Sequence, residues 1–430
     1  MTLISQKTCL NNYVPHLFDT LQFLGIYKSE KKFPLALNIF TQIIISGFLS
    51  ANLCLILSEL IDFKNAKNAR ELATRIGPVS LHITGLMKWC FCTLNINKIT
   101  HLLSQLKQCY FYSFDICTNS KEKEEFHNEM ELARKRSKLF IILWPALGMS
   151  GALHYCCNPL SFRLYKIYIQ HQDSRNVSKI LPINGWFPWD DNNYFGYSYI
   201  LQIFGVLGCC VGSVSYDQLY VSTLIIISAF IKHLLNSLQF QNVDIKSSRG
   251  DVTQYNCFET RLKKCAIQYA EVLNFLEELE KVGSPCMFVQ CVQNIIILCL
   301  SSFEAATLDY TMDAECILKI LTMIEFVSAI TIQLFFFCFV ATHIKSLGFK
   351  VADAAYACEW VSSFDTLELK NKKFDRGKKV KYLILMVTIR SQRPILLTGG
   401  PFYILSLETF KAIIGLAISN AVILSQVYKG

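Results

Sequence analysis

Along the last apolar run of the chain, Thr409, Ala412, Leu416, Ser419, Ile423 and Val427 recur at spacings of three and four. On a helix those positions share one face. The face is small or aliphatic with hydroxyls at intervals, and the run holds no carboxylate ring and no carbonyl-filter motif. Such a surface suits a water-filled path that closes by dewetting and selects weakly among ions. Periodicity alone favours a plainer use, a stripe that packs against other helices. Lys411 falls off this face, where it would not repel cations, and Glu408 three residues earlier is a suitable partner for it. A second set consists of ionisable residues stranded in other apolar runs, namely His82, His154, Lys319 and Glu325. Inside a membrane such groups need partners, and pairing across helices is the expectation for Lys319 and Glu325. They are not spaced as metal ligands, and no nucleophile with its base accompanies them. The residues therefore predict no enzyme, no metal and no cofactor, and nothing in them points to nucleic acid.

The elements that must position these residues are membrane helices. The 430 residues are 52% apolar and 13% aromatic but only 17% charged, against about a quarter charged in a soluble domain. Leu35–Leu57, Leu139–Cys157 and Pro285–Phe303 carry no Asp, Glu, Lys or Arg. Ile76–Ile96 has only Lys88, Tyr194–Ile231 only Asp217, and Ile320–Ala341 only Glu325. With Ser406–Val427 these make seven runs able to cross a bilayer, which takes about 20 apolar residues. No barrel-like alternation appears, so the fold expected is all-α with seven transmembrane helices in a lipid bilayer. No internal repeat is visible, which argues against a transporter.

Loop charges set the orientation. Of the 42 Lys and Arg residues, 28 lie in segments 1–34, 97–138, 232–283 and 345–381, and 8 in the alternate segments. Positive residues stay inside, which predicts a cytoplasmic amino terminus and an extracellular carboxyl terminus. The single sequon, Asn176-Val177-Ser178, then falls outside, as a glycosylation site requires. A G-protein-coupled receptor has the reverse orientation, and the chain lacks Asp-Arg-Tyr after the third run and Asn-Pro-x-x-Tyr in the seventh. No cleavable signal peptide is visible in the first 34 residues, so the first span acts as its own signal. Most of the 18 cysteines sit in apolar runs as small hydrophobes. Only Cys156, Cys157 and Cys316 are placed for a bridge.

Tyr194–Leu238 as one helix would be about 65–70 Å long, more than twice the hydrocarbon core, so its second half must project into the cytoplasm. A helix with Phe258, Leu262, Cys265, Tyr269, Val272, Leu276 and Leu279 on one face leads to Gly283-Ser284-Pro285, after which the fifth span begins. Tyr382–Ile389 is too short to cross and suits a short helix below the membrane. Together these pieces predict an intracellular anchor bundle. The chain divides into a leader (1–34), helices 1–6 with an outer pocket (35–344), a cytoplasmic loop with the short helix (345–398) and the seventh helix (399–430).

Three stretches carry a resemblance. They are Asn274-Phe275-Leu276-Glu277-Glu278-Leu279-Glu280 with Ser284-Pro285 and Phe288-Val289-Gln290; Val351-Ala352-Asp353-Ala354-Ala355-Tyr356 with Trp360; and Arg390-Ser391-Gln392-Arg393-Pro394 with Gly399-Gly400-Pro401-Phe402 and Leu405-Ser406-Leu407-Glu408-Thr409-Phe410. In this order, over the carboxyl-terminal part of the chain, they resemble the insect odorant receptor family. The resemblance implies a ligand-gated, non-selective cation channel of four subunits in the plasma membrane of a sensory dendrite, with the seventh helices around the pore. It implies a heterotetramer with an odorant co-receptor, whose longer loop between spans four and five this chain lacks. Ser419 faces the implied pore, and Ile423, Gln426 and Val427 match the family's gate positions. Ser419-Asn420 and Gln426-Val427 depart from the ending of the related gustatory receptors, which form the alternative of a homotetrameric channel. An inverted chemoreceptor signalling through G proteins or second messengers is the other.

The family binds small volatile hydrophobic ligands in the outer half of each subunit. There the topology places Val79, His82 and Ile83 from the second helix and Leu147, Ser150 and His154 from the third. The fourth supplies Tyr197, Leu201 and Phe204, and the sixth Ile320 and Met323. Burying roughly 250 Å² of ligand at about 25 cal/mol per Å² yields about 6 kcal/mol before entropic costs, which implies micromolar binding at best. By number alone, most of these residues would serve helix packing.

Overall fold

The computed structural model describes residues 10–27, 34–171, 179–246, 252–307, 314–358 and 374–429. Its helices are α1 (Leu10–Tyr13), α2 (Pro15–Phe23), α3 (Leu35–Asp62), α4 (Ala69–Leu94), α5 (Ile96–Ile116), α6 (Ser120–Tyr168), α7 (Phe195–Lys246), α8 (Val252–Ala306), α9 (Ala314–Ala357), α10 (Phe374–Gln392) and α11 (Leu407–Lys429). A two-stranded antiparallel hairpin, Thr398–Gly399 with Tyr403–Ile404, precedes α11. Among the described residues five helices, α3 and α6 to α9, are long and apolar enough to cross a membrane. The helices α4 and α11 are long enough, at 26 and 23 residues. The apolar run of α4 is diluted by His82 and Lys88, and the side chains at 424, 425 and 427–429 of α11 lie outside the described residues.

Several boundaries follow directly from local chemistry. At the start of α4, Asn68 Oδ1 accepts from the backbone N–H of Glu71 at 2.8 Å, and Glu71 Oε2 accepts from that of Lys67 at 2.9 Å. That exchange satisfies two donors that a helix start leaves open. The 52 residues of α7 span about 78 Å at 1.5 Å per residue, as the length of its apolar run requires. The helix α8 runs unbroken through Pro285, where the sequence pattern suggested a boundary. Leu279, Cys286 and Met287 lie in the same core on either side of the proline, so packing holds the register that Pro285 alone would interrupt.

One end of the bundle, called the base here, is the densest part of the molecule. A single apolar core unites Leu17 and Leu21 of α2, Leu102 and Leu106 of α5, Ile227 and Phe230 of α7, Phe275 and Leu276 of α8, Ile344 and Val351 of α9, and Val380 and Ile384 of α10. The Arg261 guanidinium meets Glu122 at 2.6 Å within it. Gln268 Nε2 donates to Ser113 Oγ at 2.7 Å and to the carbonyl of Phe230 at 3.0 Å. The sequence reading missed α1, α2 and α5, treating 1–34 as a leader and 97–138 as a loop. Position 344 lies inside α9, which continues to Ala357, and the short helix expected at Tyr382–Ile389 is the longer α10.

At the far end the apolar clusters are small. Residues 183–189, ahead of α7, lie across the ends of α3 and α7. Gln202 exchanges two hydrogen bonds with the backbone of Ile183, Trp186 N donates to the carbonyl of Ser58 at 3.0 Å, and Trp189 Nε1 donates to Ser198 Oγ at 2.8 Å. Between base and far end, α7 crosses α3 and α4 at backbone contact. A Cβ on Gly208 or Gly212 would overlap the carbonyls of Phe48 and Gly85. Cys156, Cys157 and Cys316 form no disulfide bridge among the described residues.

Candidate functional site

Midway along the bundle two of the three lone charges of the apolar runs meet. Lys88 Nζ of α4 lies 2.7 Å from Asp217 Oδ1 of α7, and both side chains are at most 1% exposed. Asp217 Oδ2 accepts from Trp144 Nε1 of α6 at 3.1 Å and from Gln333 Nε2 of α9 at 2.6 Å. Lys88 donates further to Ser213 Oγ at 3.2 Å and sits 5.8 Å from the Tyr216 ring and 5.9 Å from that of Phe337. Gln333 Oε1 accepts from Gln290 Nε2 of α8 at 3.0 Å, and that amide also reaches Asn294 Oδ1 at 2.7 Å. A buried charge pair is tolerated only when its remaining hydrogen-bonding capacity is met. Here one carboxylate gathers donors from α4, α6 and α9, and Gln333 passes the connection on to α8.

The far end carries paired charges of a different kind. His82 Nδ1 faces both oxygens of Glu59, at 3.1 and 2.9 Å, and this α4–α3 pair is sealed. His154 of α6 bonds Glu325 of α9, but their side chains are 40% and 35% exposed. One turn away Asn158 Nδ2 donates to Thr322 Oγ1 at 2.7 Å. Arg75 pairs with Asp62 at 3.2 Å, and Lys319 with Glu304 at 3.2 Å. Both histidines of the sequence reading have the partners their setting demands, and Glu325 and Lys319 pair across helices as expected. Among the described residues no His, Cys, Asp or Glu cluster could hold a metal.

The other residues expected at the outer pocket divide. Val79 is buried beside His82, while Leu201, Ile320 and Met323 are half-buried. Ile83, Leu147 and Ser150 are exposed, and Tyr197 and Phe204 lie open at 72% and 43%. Phe204 packs on Phe48 of α3, ring centroids 5.3 Å apart. The structure thus brings His154 together with α9 residues, seals His82 away from them, and leaves Tyr197 and Phe204 on the outside of the single chain. Asn176 and Trp360 lie outside the described residues, as does the side chain of Val427.

The last helix is reached through the hairpin, and here two of the three motif stretches touch. Thr398 Oγ1 donates to Glu280 Oε1 at 2.7 Å, and Gly400 N donates to Ser284 Oγ at 2.9 Å. Gly400 has φ +70°, and a Cβ there would stand 2.7 Å from the Phe288 ring, so the turn needs glycine on both counts. Leu407 N, opening α11, donates to Thr342 Oγ1 of α9 at 3.0 Å. The helix α11 buries Ile413, Ala417 and Ala421 and exposes Ala412, Leu416, Ser419, Ile423 and Gln426. Its exposed side carries Ala412, Leu416, Ser419 and Ile423 of the stripe singled out in the sequence together with Lys411, Gly415 and Ile418, while Thr409 is half-buried.

Sequence reasoning missed Glu59, Trp144, Gln333 and Gln290. Lys88 and Asp217 had a legible signal, since each is the single formal charge in its run and the two have opposite sign. The uncharged members had none.

The profile of the 7tm Odorant receptor family matches residues 68–418. The chain is 23% identical over 351 residues to Odorant receptor 13a of Drosophila melanogaster, covering 78% of this chain and 77% of that protein. It is 20% identical over 312 residues to Odorant receptor Or1 of Anopheles gambiae, covering 67% and 68% respectively. Its fold superposes on the olfactory receptor OR5 of Machilis hrabei in complex with eugenol with a TM-score of 0.73, at 15% identity, covering 97% of this chain and 98% of that one.

Proposed function

The chain belongs to the odorant receptor family, and on that premise we propose that it is a tuning subunit of a ligand-gated, non-selective cation channel. In this reading seven helices cross the plasma membrane of a sensory neuron, α3, α4, α6 to α9 and α11, with the amino terminus cytoplasmic and the carboxyl terminus outside. The base is the cytoplasmic anchor of a heterotetramer formed with a co-receptor. A small apolar volatile binds at the far end, which faces outward, and Asn176 carries a glycan there.

The observation that carries the reading is the station of α11. It packs against α8 and α9 through Ile413, Ala417 and Ala421, and turns an apolar stripe out of the chain at Leu416 (48% exposed) and Ile423 (57%). Such a stripe needs cover from lipid or other subunits. Four helices of this kind about one axis enclose a path lined by Ser419, Ile423, Gln426 and Val427, without a fixed charge to select strongly among cations.

Currents recorded from cells expressing the chain with and without a family co-receptor, against a panel of volatiles, test the proposal. A fast cation current that survives G-protein blockade, with an epitope on Gly430 labelled on intact cells, is the expected result. Currents that vanish with G-protein blockade, or an epitope seen only after permeabilisation, would overturn it.

A further inference from the structure

We infer that the outer pocket is tuned to volatile amines, with Glu325 receiving the ammonium group and His154 and Asn158 completing a rim of acceptors. The inference deepens the reading above and rests on its placing of the ligand in the outer half, where α6 and α9 meet. A carboxylate in an apolar run is costly unless it is matched, and Glu325 is matched on one side only. His154 Nδ1 bonds its Oε2. Its Oε1 has no further hydrogen-bond partner among the described residues, and a Cβ added at Gly151 would come no closer to it than 3.5 Å. The glycine leaves that oxygen uncovered. The nearest cation on its own helix, Lys319, is engaged by Glu304 at 3.2 Å.

The neighbouring groups can be assigned from their bonds. In its neutral form, with Nδ1–H given to the carboxylate, the imidazole of His154 keeps Nε2 as an acceptor. Thr322 Oγ1 donates its one proton to the carbonyl of Leu318 at 2.9 Å, so it can only accept from Asn158, whose amide stands 2.7 Å away. That fixes the amide and leaves Asn158 Oδ1 open. The rim therefore offers three acceptors, one of them charged. A protonated primary amine brings several N–H donors and the complementary charge. An alcohol brings one donor and no charge. The Glu59–His82 pair makes the contrast, since both carboxylate oxygens already face the ring and its side chains are 3% and 4% exposed.

The test uses the full chain expressed with a co-receptor and volatiles of matched size: hexylamine, 1-hexanol and heptane, then benzylamine, benzyl alcohol and toluene. Half-maximal concentrations should be lower for each amine than for its alcohol by about tenfold, the scale of one charge-assisted hydrogen bond. Glu325→Gln should collapse that ratio toward one, while Glu59→Gln at the sealed pair should leave it unchanged. Thermal stabilisation of the purified wild-type chain by hexylamine but not by hexanol gives a second readout should Glu325→Gln fail to reach the surface. Alcohols matching or exceeding amines on the wild type, or an amine preference that survives Glu325→Gln, overturns the inference and leaves the channel reading standing. No current and no thermal shift with any volatile removes both.

Discussion

The base of the bundle and its far end are made from the same long helices and hold them by different means. At the base, α5, α7, α8, α9 and α10 share one continuous apolar core, and its ion pair, Arg261 with Glu122, is less than a tenth exposed. At the far end the cores are small, and α6 meets α9 through the half-exposed His154–Glu325 pair and the Asn158–Thr322 bond. Close packing resists small displacements, whereas exposed polar pairs exchange partners at little cost. A helix clamped at one end and loosely paired at the other can shift at the loose end when a ligand enters. The Lys88–Asp217 network stands between the two regimes and is fully sealed, as is the Glu59–His82 pair beyond it.

The largest test of that contrast is at its boundary. Asp217→Ala leaves Lys88 buried without its counter-charge and strips Trp144 and Gln333 of their acceptor. Breaking a buried pair in this way costs about 3–5 kcal/mol, read as a fall in thermal unfolding temperature and in surface delivery. Glu325→Gln should cost less than about 1 kcal/mol, since its pair is solvent-screened. Equal losses would erase the distinction between sealed and open pairs. Next, Leu276→Ala in the base should cost about 2–5 kcal/mol, because a cavity there cannot collapse. Ile423→Ala, on the open face of α11, should cost under about 1 kcal/mol in the isolated subunit. Between those two falls Gly400→Ala, expected at about 1–2 kcal/mol from the left-handed backbone, with further loss where its Cβ meets Phe288. A Gly400→Ala protein as stable as the parent would mean the hairpin does not fasten α11 to α8.

Much of this architecture is written in periodicity and length. The run from Tyr194 to Leu238 is too long for a membrane, and α7 is long for that reason. The face from Phe258 to Leu279 is helical in pattern and buried in the base. The amino-terminal helices were illegible because Leu10, Val14, Leu17 and Leu21 alternate with polar residues over stretches too short to register against the long runs. Pro285 and its glycine read as a break, while the core on both sides of it keeps the helix whole. At the candidate site, His82 and His154 stood out because a polar group among apolar ones is conspicuous. Which of the two is sealed depends on how far Glu59 and Glu325 stand from neighbouring helices, a tertiary distance that spacing along one chain does not encode.

Cysteine chemistry sharpens the comparison at its smallest scale. Burial pushes the thiol of Cys109 in α5 up to about 12, with Glu271 adding to the effect. Burial first and Glu122 second push Cys117 up to about 11, and burial does the same for Cys358 beyond α9. Only the thiolate attacks an alkylating reagent, so near pH 8 these base thiols should react about a hundredfold or more slowly than ordinary ones. Cys157 at the far end is exposed, as are Cys54 and Cys90, and should label before the base thiols in detergent-solubilised protein. The sign of the linked stability follows from the raised values. An unfolded chain releases these protons near its ordinary thiol range, so the contribution is whole below about pH 8.5 and declines as pH climbs toward 11–12. Alkylation followed by mass spectrometry at several pH values reads both effects. If Cys109, Cys117 and Cys358 label at the rate of Cys157 near neutrality, the base opens as readily as the far end, and a clamp at one end no longer explains how a ligand at the other could do work.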